Sequence, residues 1–92
     1  MELDEFQQRM ETTYGARDRA RGVPATIAWL AEEFGELAKA VRKGTSEERL
    51  HELGDVLAWL ASLANQLDLS LEESIGRYLS GCPKCGRTPC DC

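Results

Sequence analysis

The chain has 92 residues, 42% of them hydrophobic, and a formal net charge of −5, which fits one small domain. That negative charge disfavours a polynucleotide partner, because binding a phosphate backbone requires clustered lysines and arginines. No apolar run approaches the roughly 20 residues of a membrane-spanning helix, and residues 1–5 lack the pattern of a signal peptide. We therefore expect a cytoplasmic protein that uses neither a membrane nor a polynucleotide as partner.

Helical spacing of apolar residues at the start of the chain predicts a first helix over residues 2–14. Its apolar positions are Leu3, Phe6, Met10 and Tyr14. Residues 15–22 follow, and they crowd four charged side chains together, namely Arg17, Asp18, Arg19 and Arg21. One interpretation is a solvated connector. The other is that one or two of these arginines reach a bound phosphate, which the planar guanidinium fork suits.

Two longer helices are predicted on either side of Gly44. The second helix starts at Pro24, and the third is capped by Thr45 or Ser46, with Glu48 able to complete a capping box from Thr45. Each helix carries an apolar stripe that we assign to the core. The stripes are Ile27, Leu30, Phe34, Leu37 and Val41 on helix two, and Leu50, Leu53, Leu57, Leu60 and Leu67 on helix three.

A fourth, short helix opens at Ser70, which forms a second capping box with Glu73, and runs through Leu71, Ile75 and Leu79. No segment shows the alternation of a strand. We therefore predict an all-α fold, an antiparallel four-helix arrangement around a central two-helix hairpin, completed by oligomerisation. The predicted units are a helical domain over residues 1–80 and a cysteine-rich tail over residues 81–92.

Two acidic pairs lie inside the central hairpin, Glu33 with Glu36 and Glu52 with Asp55. The spacing of three places each pair on one helix face, and an antiparallel hairpin brings the faces together. Two such carboxylates 4 Å apart repel by about 4 kcal/mol at an effective dielectric of 20. A divalent cation bound between the carboxylates replaces this repulsion with attraction, and hard oxygen ligands suit Mg²⁺ or Mn²⁺. His51, which points away from Glu52 by about 100°, is expected on the surface.

Both tryptophans lie one helical turn from these acids, Trp29 before Glu33 and Trp59 after Asp55. In an antiparallel hairpin the two positions fall at the same end of the carboxylate cluster. Aromatic residues usually serve cores and interfaces, so the pair could pack under the first helix or against another subunit. The alternative is that at least one forms the wall of a pocket for a flat base.

The tail contains all four cysteines of the chain, Cys82, Cys85, Cys90 and Cys92. Cys82 and Cys85 with the following Gly86 resemble a zinc-ribbon knuckle, and four thiolates match a closed structural zinc site. The second pair is more closely spaced than usual, which leaves open a site shared between subunits. Disulfides, free thiols or another metal are the remaining alternatives.

The acidic pattern, with fifteen residues between Glu36 and Glu52, resembles the motif of the MazG-type all-α nucleoside triphosphate pyrophosphohydrolases. The flanking segments 29–38, 52–60 and 63–73 share this resemblance, which covers about residues 3–79. It implies that Glu33, Glu36, Glu52 and Asp55 hold Mg²⁺, which binds a triphosphate. Water then attacks the α-phosphorus and releases pyrophosphate.

The same resemblance implies the remaining roles. Glu32 is the candidate to orient or deprotonate the water, although it could equally be an exposed helix carboxylate. Trp29 and Trp59, from their placement beside the acids, and Asn65, in the flanking segment 63–73, are the predicted substrate-binding residues. A homodimer or homotetramer is predicted both by the resemblance and by the small core. The tail departs from the family, since many relatives continue with lysine-rich residues that close over the phosphates. Here only Lys84 or Arg87 could substitute.

Two functions therefore compete. The first is a magnesium-dependent nucleotide pyrophosphohydrolase that acts on a nucleoside triphosphate. The second is a non-catalytic helical module whose zinc tail binds a protein partner, with the acids as a remnant. The complete set of four carboxylates favours the enzyme, because a remnant is expected to have lost at least one ligand.

Overall fold

The computed structural model describes residues 1–92 and contains four α-helices, one short 3₁₀ helix and no strand. The α-helices are α1 (Leu3–Arg21), α2 (Val23–Lys43), α3 (Ser46–Gln66) and α4 (Leu71–Ser74), and the 3₁₀ helix is Gly76–Tyr78. Helices α2 and α3 form an antiparallel hairpin, and α1 lies mainly against α3. The predicted all-α fold is confirmed. None of the helices combines the length and apolar character needed to cross a membrane.

Helix α1 is longer than the sequence predicted, because it continues to Arg21 instead of ending at residue 14. Gly15 does not break it. A Cβ on Gly15 would lie 2.8 Å from the carboxyl carbon of Glu11, so the glycine leaves room for that side chain on the helix surface. Arg19 Nη1 lies 2.6 Å from Glu11 Oε1 on the same side of the helix as Gly15. The segment predicted as a connector is therefore two further turns of α1, and this ion pair links it to the preceding turns.

The turn between α2 and α3 follows the predicted signals. Thr45 Oγ1 accepts a hydrogen bond from the Glu48 amide at 3.1 Å, and Glu48 Oε1 accepts one from the Thr45 amide at 3.0 Å, which completes the capping box. Arg49 donates to the carbonyls of Ala40 and Val41, both at 3.0 Å, and so satisfies the C-terminal end of α2. The two helices are held at this end by polar contacts.

The apolar stripes assigned to the core are the main error of the sequence analysis. Phe34 is 61% exposed, Val41 57% and Leu50 73%, although each was predicted to be buried. We call this exposed surface the outer face of the hairpin, and its residues are Ile27, Phe34 and Val41 of α2 with Leu50, Leu53, Leu57 and Leu60 of α3. The sequence pattern marked the apolar side of each helix correctly, but a single chain has nothing to cover it.

The buried interior consists of small and polar residues. Only nine residues of 92 are buried, and the apolar ones are Ala40, Val56, Ala61 and Ala64. A domain with so small an interior obtains little stability from burial within one chain, since stabilisation scales with the apolar area removed from water.

Helix α4 is shorter than predicted. Ser70 Oγ accepts a hydrogen bond from the Glu73 amide at 3.1 Å, which caps the helix, but the α-helix ends at Ser74. Gly76 then begins the 3₁₀ helix, consistent with the low helix propensity of glycine. Ile75 and Leu79, expected on an apolar stripe, are exposed.

One buried glutamine joins α1 to the turn after α3. The Gln7 amide nitrogen donates to Asn65 Oδ1 at 2.9 Å and to the Leu69 carbonyl at 2.7 Å. The side-chain oxygen of Gln7 accepts a hydrogen bond from the Leu71 backbone amide at 2.9 Å. The backbone carbonyl of Gln7 accepts one from Asn65 Nδ2 at 3.2 Å. These four bonds fix where the chain leaves α3 and enters α4.

Candidate active site

The site lies along the seam between α2 and α3, on the side of the hairpin that carries the acids and tryptophans. Seam residues of α2 are Trp29, Glu33, Glu36 and Ala40, and those of α3 are Glu52, Asp55, Trp59 and Ser62. Ala40 and Ser62 are buried, whereas Glu33, Glu52 and Asp55 are half-buried. Small residues at both ends allow the two helices to approach closely, so the carboxylates between them are drawn partly out of water.

The four predicted metal ligands are divided between two neighbouring cavities. Glu33 and Asp55 line a cavity of about 490 Å³ together with both tryptophans and residues of α1, and we call it the larger cavity of the two. Glu36 and Glu52 line a smaller cleft of about 220 Å³ that also contains Lys39 and Lys43. The carboxylates therefore stand at the boundary between an aromatic cavity and a lysine-flanked cleft.

The electrostatics of the seam show negative charge without compensation. Burial raises the pKa of Glu33, and the nearby charges of Asp55, Glu52, Glu36 and Glu32 raise it further. No lysine or arginine nitrogen lies within 4.0 Å of the carboxylates of Glu33, Glu36 or Glu52. Of the four predicted ligands, only Glu52 and Asp55 belong to a group of three ligand residues with atoms within 4.8 Å of one another, and Glu33 and Glu36 lie outside that group. Carboxylate oxygens are the ligands that a hard divalent cation such as Mg²⁺ or Mn²⁺ prefers.

His51 contributes a contact that the sequence analysis did not foresee. It is exposed, as predicted, but its Nε2 lies 3.3 Å from Asp55 Oδ2. Ligand atoms of His51, Glu52 and Asp55 all lie within 4.8 Å of one another. The spacing of four between His51 and Asp55 was the available signal, because residues i and i+4 are neighbours on a helix surface.

The two tryptophans meet at one end of the seam. Their ring centroids are 5.9 Å apart and the rings are inclined by only 15°, so they are stacked. The Arg21 guanidinium carbon lies 4.7 Å from the centroid of the Trp59 ring, a cation–π arrangement. The pair packs beneath α1 and at the same time walls the larger cavity, to which Met10 and Tyr14 also contribute. That either ring contacts a flat base stays a prediction.

Asp18 is the cavity residue that the sequence analysis missed. Its side chain is 3% exposed, and Oδ1 accepts a bond from Arg21 Nη1 at 2.9 Å. Oδ2 is buried and has no hydrogen-bond partner in the chain. Since Asp18 lines the larger cavity, this oxygen is an acceptor that a bound molecule can satisfy. The signal was the spacing of three between Asp18 and Arg21, which matters only once this segment is helical.

Four other predicted residues occupy different positions. Arg17 lines the larger cavity, whereas Arg19 pairs with Glu11, and a phosphate contact of either arginine stays a prediction. Glu32 is exposed on α2 beside Glu33 and lines neither cavity. Asn65 lies outside the larger cavity, and its amide is bonded to Gln7. The catalytic role of Glu32 and the substrate role of Asn65 stay predictions.

The tail forms a separate cluster after the 3₁₀ helix. The sulfur atoms of Cys82, Cys85, Cys90 and Cys92 lie within 4.8 Å of one another, and all four cysteines are free. The backbone amides of Cys85 and Lys84 lower the pKa of the Cys82 thiol. Those of Asp91 and Arg87 lower the pKa of Cys85 to about 6. The structure therefore brings together the four predicted sulfur ligands.

The fold and site together describe an all-helical protein with an acidic seam beside an aromatic cavity. The sequence profile described as "MazG nucleotide pyrophosphohydrolase domain" matches residues 21–83, more than half of the chain. The chain therefore belongs to the MazG family of nucleotide pyrophosphohydrolase domains. The match contains the whole seam, but it begins at the last residue of α1 and so excludes Asp18.

One curated relative is YpjD of Bacillus subtilis (strain 168), a protein described as uncharacterized. It is 43% identical to this chain over 65 residues, which cover 60% of this chain and 59% of the relative. The chain thus spans about three-fifths of the length of that relative.

Proposed function

We propose that the protein is a divalent-cation-dependent pyrophosphohydrolase that converts a nucleoside or deoxynucleoside triphosphate to the monophosphate and pyrophosphate. The observation that carries this proposal is the seam, where Glu33 and Asp55 line the same cavity as both tryptophans and neighbouring acids raise the pKa of the partly buried Glu33. The family supports nucleotide pyrophosphohydrolysis in general. Cation dependence and the triphosphate substrate are our inferences from the charges and the cavity.

Glu33, Glu36, Glu52 and Asp55 are the residues proposed to hold Mg²⁺ or Mn²⁺. When bound, the cation neutralises charge on phosphate oxygens and makes a water molecule more nucleophilic. The carboxylates favour the cation because no lysine or arginine nitrogen lies within 4.0 Å of Glu33, Glu36 or Glu52. Glu32, exposed beside this set, is proposed to orient the attacking water or accept its proton.

The larger cavity is proposed to receive the nucleoside. Trp29 and Trp59 offer aromatic surface for a flat base, and base–aromatic stacking contributes about 1–3 kcal/mol. Asp18 Oδ2 accepts a hydrogen bond from an N–H or O–H group of the nucleoside. Arg17, exposed at the same cavity, is proposed to approach the phosphates.

Asn65 remains a proposed substrate ligand only by family resemblance. Its side-chain amide already bonds to Gln7 in both directions. To contact the substrate it would have to give up these bonds or use the second lone pair of its oxygen.

We also propose that the outer face is covered by a second copy of this chain, in a homodimer or a homotetramer. Phe34, Val41 and Leu50 are each more than half exposed, and the interior of one chain buries only four apolar residues. A helical hairpin that presents an apolar stripe on each helix can pair with its own copy across a two-fold axis, which uses the same surface twice. The charge of the seam stays outside such an interface.

The direct test incubates the full chain with a panel of ribo- and deoxynucleoside triphosphates, with Mg²⁺ and with a chelator. We expect pyrophosphate and the monophosphate in the presence of Mg²⁺ and neither product in its absence. Release of orthophosphate with a diphosphate would show attack at another phosphorus and contradict the proposal. Absence of turnover with every nucleotide and either cation would favour the non-catalytic module.

A further inference from the structure

The cysteine-rich tail contains a second metal-ligand cluster that takes no part in the proposed reaction. We propose that Cys82, Cys85, Cys90 and Cys92 of one chain close a single structural zinc site. The site is complete within the chain, so it is neither shared with a second copy nor replaced by disulfides.

The sulfur geometry is the first argument. Four sulfurs at about 2.3 Å from one zinc ion are separated by about 3.8 Å along each edge of a tetrahedron. In this chain Cys82 Sγ lies 3.8 Å from Cys92 Sγ, and Cys90 Sγ lies 3.5 Å from Cys92 Sγ. All four sulfurs are within 4.8 Å of one another. This is the spacing of ligands around one ion, whereas disulfide-bonded sulfurs are about 2.0 Å apart.

The backbone of the first cysteine pair is folded to present its sulfurs. The Gly86 amide donates to the Cys82 carbonyl at 2.7 Å, and the Cys82 amide donates to the Arg87 carbonyl at 3.1 Å. Gly86 has φ = 74°, in the left-handed region that favours glycine. A tight turn therefore places Cys82 and Cys85 side by side, and the chain then doubles back to bring up the second pair.

The tail has no buried core to hold this shape. None of residues 81–92 is buried, and the ion pair between Arg87 and Asp91 is exposed. Exposed ion pairs contribute little to stability. A segment without a core needs a covalent or metal link to stay ordered, and here the four thiols provide the ligands for one.

Zinc is the ion that fits these ligands best. Thiolates select soft or borderline metals, which excludes the Mg²⁺ or Mn²⁺ of the seam. Zinc has no redox chemistry and forms closed tetrahedral sites of four cysteines. With four protein ligands no position is left for a substrate, so the role of the ion is structural.

The test begins with the full chain, purified without chelator and analysed for metals by mass spectrometry. We expect one zinc per chain, and the same ratio after dilution or mutation has separated any oligomer into single chains. Half a zinc per chain, or zinc lost on dissociation, would show a shared site. Iron in place of zinc, or no metal with four reactive thiols, would also overturn the proposal.

A matched pair of variants completes the test. Cys85→Ser should lose zinc and leave residues 81–92 open to protease while the helical circular dichroism persists. Lys84→Ala, at the neighbouring position, should keep one zinc per chain. Cobalt added to the metal-free chain should give the absorption of a tetrahedral thiolate site, and an octahedral spectrum would contradict the proposed ligand set. Because the readouts are metal content and proteolysis, the result is independent of nucleotide hydrolysis.

Discussion

The two sides of the α2–α3 hairpin each present groups without a partner. On one side these groups are carboxylates, and on the other they are apolar side chains. Along the seam, Glu33, Glu36 and Glu52 have no lysine or arginine partner, and burial, together with the neighbouring acids, raises the pKa of Glu33. On the outer face, Phe34 and its neighbours leave apolar surface in water. We propose that a cation completes the first surface and that a second chain completes the second. On this proposal, the same two helices keep the metal site and the assembly surface apart by about 100° of rotation about each helix axis.

The largest expected effect comes from breaking the seam. Asp55→Asn removes one charged ligand but keeps the shape of the side chain, and we expect pyrophosphate release to fall at least about a thousandfold. Glu36→Ala should have a similar effect although it lines the other cavity. Glu47→Gln, an exposed acid in the first turn of α3, is the control and should retain turnover. Undiminished activity in either seam variant would remove the proposed metal site.

The second largest effect is expected when a charge is introduced on the outer face, and it concerns the dimer dissociation constant. Phe34→Glu places a charge where a second copy is proposed to pack, which should raise the dimer dissociation constant about a hundredfold or more. Phe34→Leu, which remains apolar, should stay assembled. Sedimentation or light scattering over a range of concentrations measures both variants. A monomeric wild-type chain at every concentration would refute the interface.

The aromatic end of the seam should give a smaller, substrate-specific effect. Trp59→Leu removes a stacking surface of about 1–3 kcal/mol, so the KM should rise about 5- to 100-fold. Tyr78→Leu, an exposed aromatic residue on the 3₁₀ helix, is the control and should leave the KM unchanged. A Trp59→Leu enzyme with the wild-type KM would mean that the base lies elsewhere.

The smallest effect concerns stability and pH in the metal-free chain. The pKa of Glu33 is raised above its ordinary value of 4.5 in the folded state. Its contribution to stability is therefore fully present below that value and is lost as the pH rises through the folded pKa. Glu33→Gln should raise the Tm at pH 7 by a few degrees and have little effect near pH 4. Thermal unfolding of both proteins at the two pH values, without divalent cations, measures the direction of this change in Tm.

Without a cation we expect Glu33→Gln to have the higher Tm, and with Mg²⁺ we expect wild type to have the higher Tm. Wild type should gain thermal stability from the cation, whereas Glu33→Gln should gain less because one ligand charge is missing. Metal affinity should fall as the pH is lowered through the raised pKa of Glu33, since the ligand must be deprotonated. Equal stabilisation of both proteins by Mg²⁺ would place the cation away from Glu33.

Local signals in the sequence were sufficient for the hairpin and its turn. The capping box of Thr45 and Glu48 depends on residues three apart, and the acids and tryptophans align by helix geometry alone. Such features involve no information from distant parts of the chain. The predicted hairpin, its turn and its capping box therefore agree with the structure, whereas the predicted burial of its apolar stripes does not.

Non-local features could not be predicted in the same way. Periodicity identifies the apolar side of a helix, but it does not tell whether Phe34 is covered by its own chain or by another. The extension of α1 was missed because Gly15 and the charges after it are typical of a connector, while the link from Arg19 to Glu11 spans eight residues. Asp18 entered the site only because that extension carries it to the cavity.

The bonds of Gln7 have a consequence for how the chain is made. They join residues separated by 58 to 64 positions, nearly the full span of the helical part. The α2–α3 hairpin closes locally and can form as soon as both helices have left the ribosome, whereas α1 must wait for the segment around Leu71. Since α1 supplies one wall of the larger cavity, we expect that cavity to take shape after the α2–α3 hairpin during synthesis.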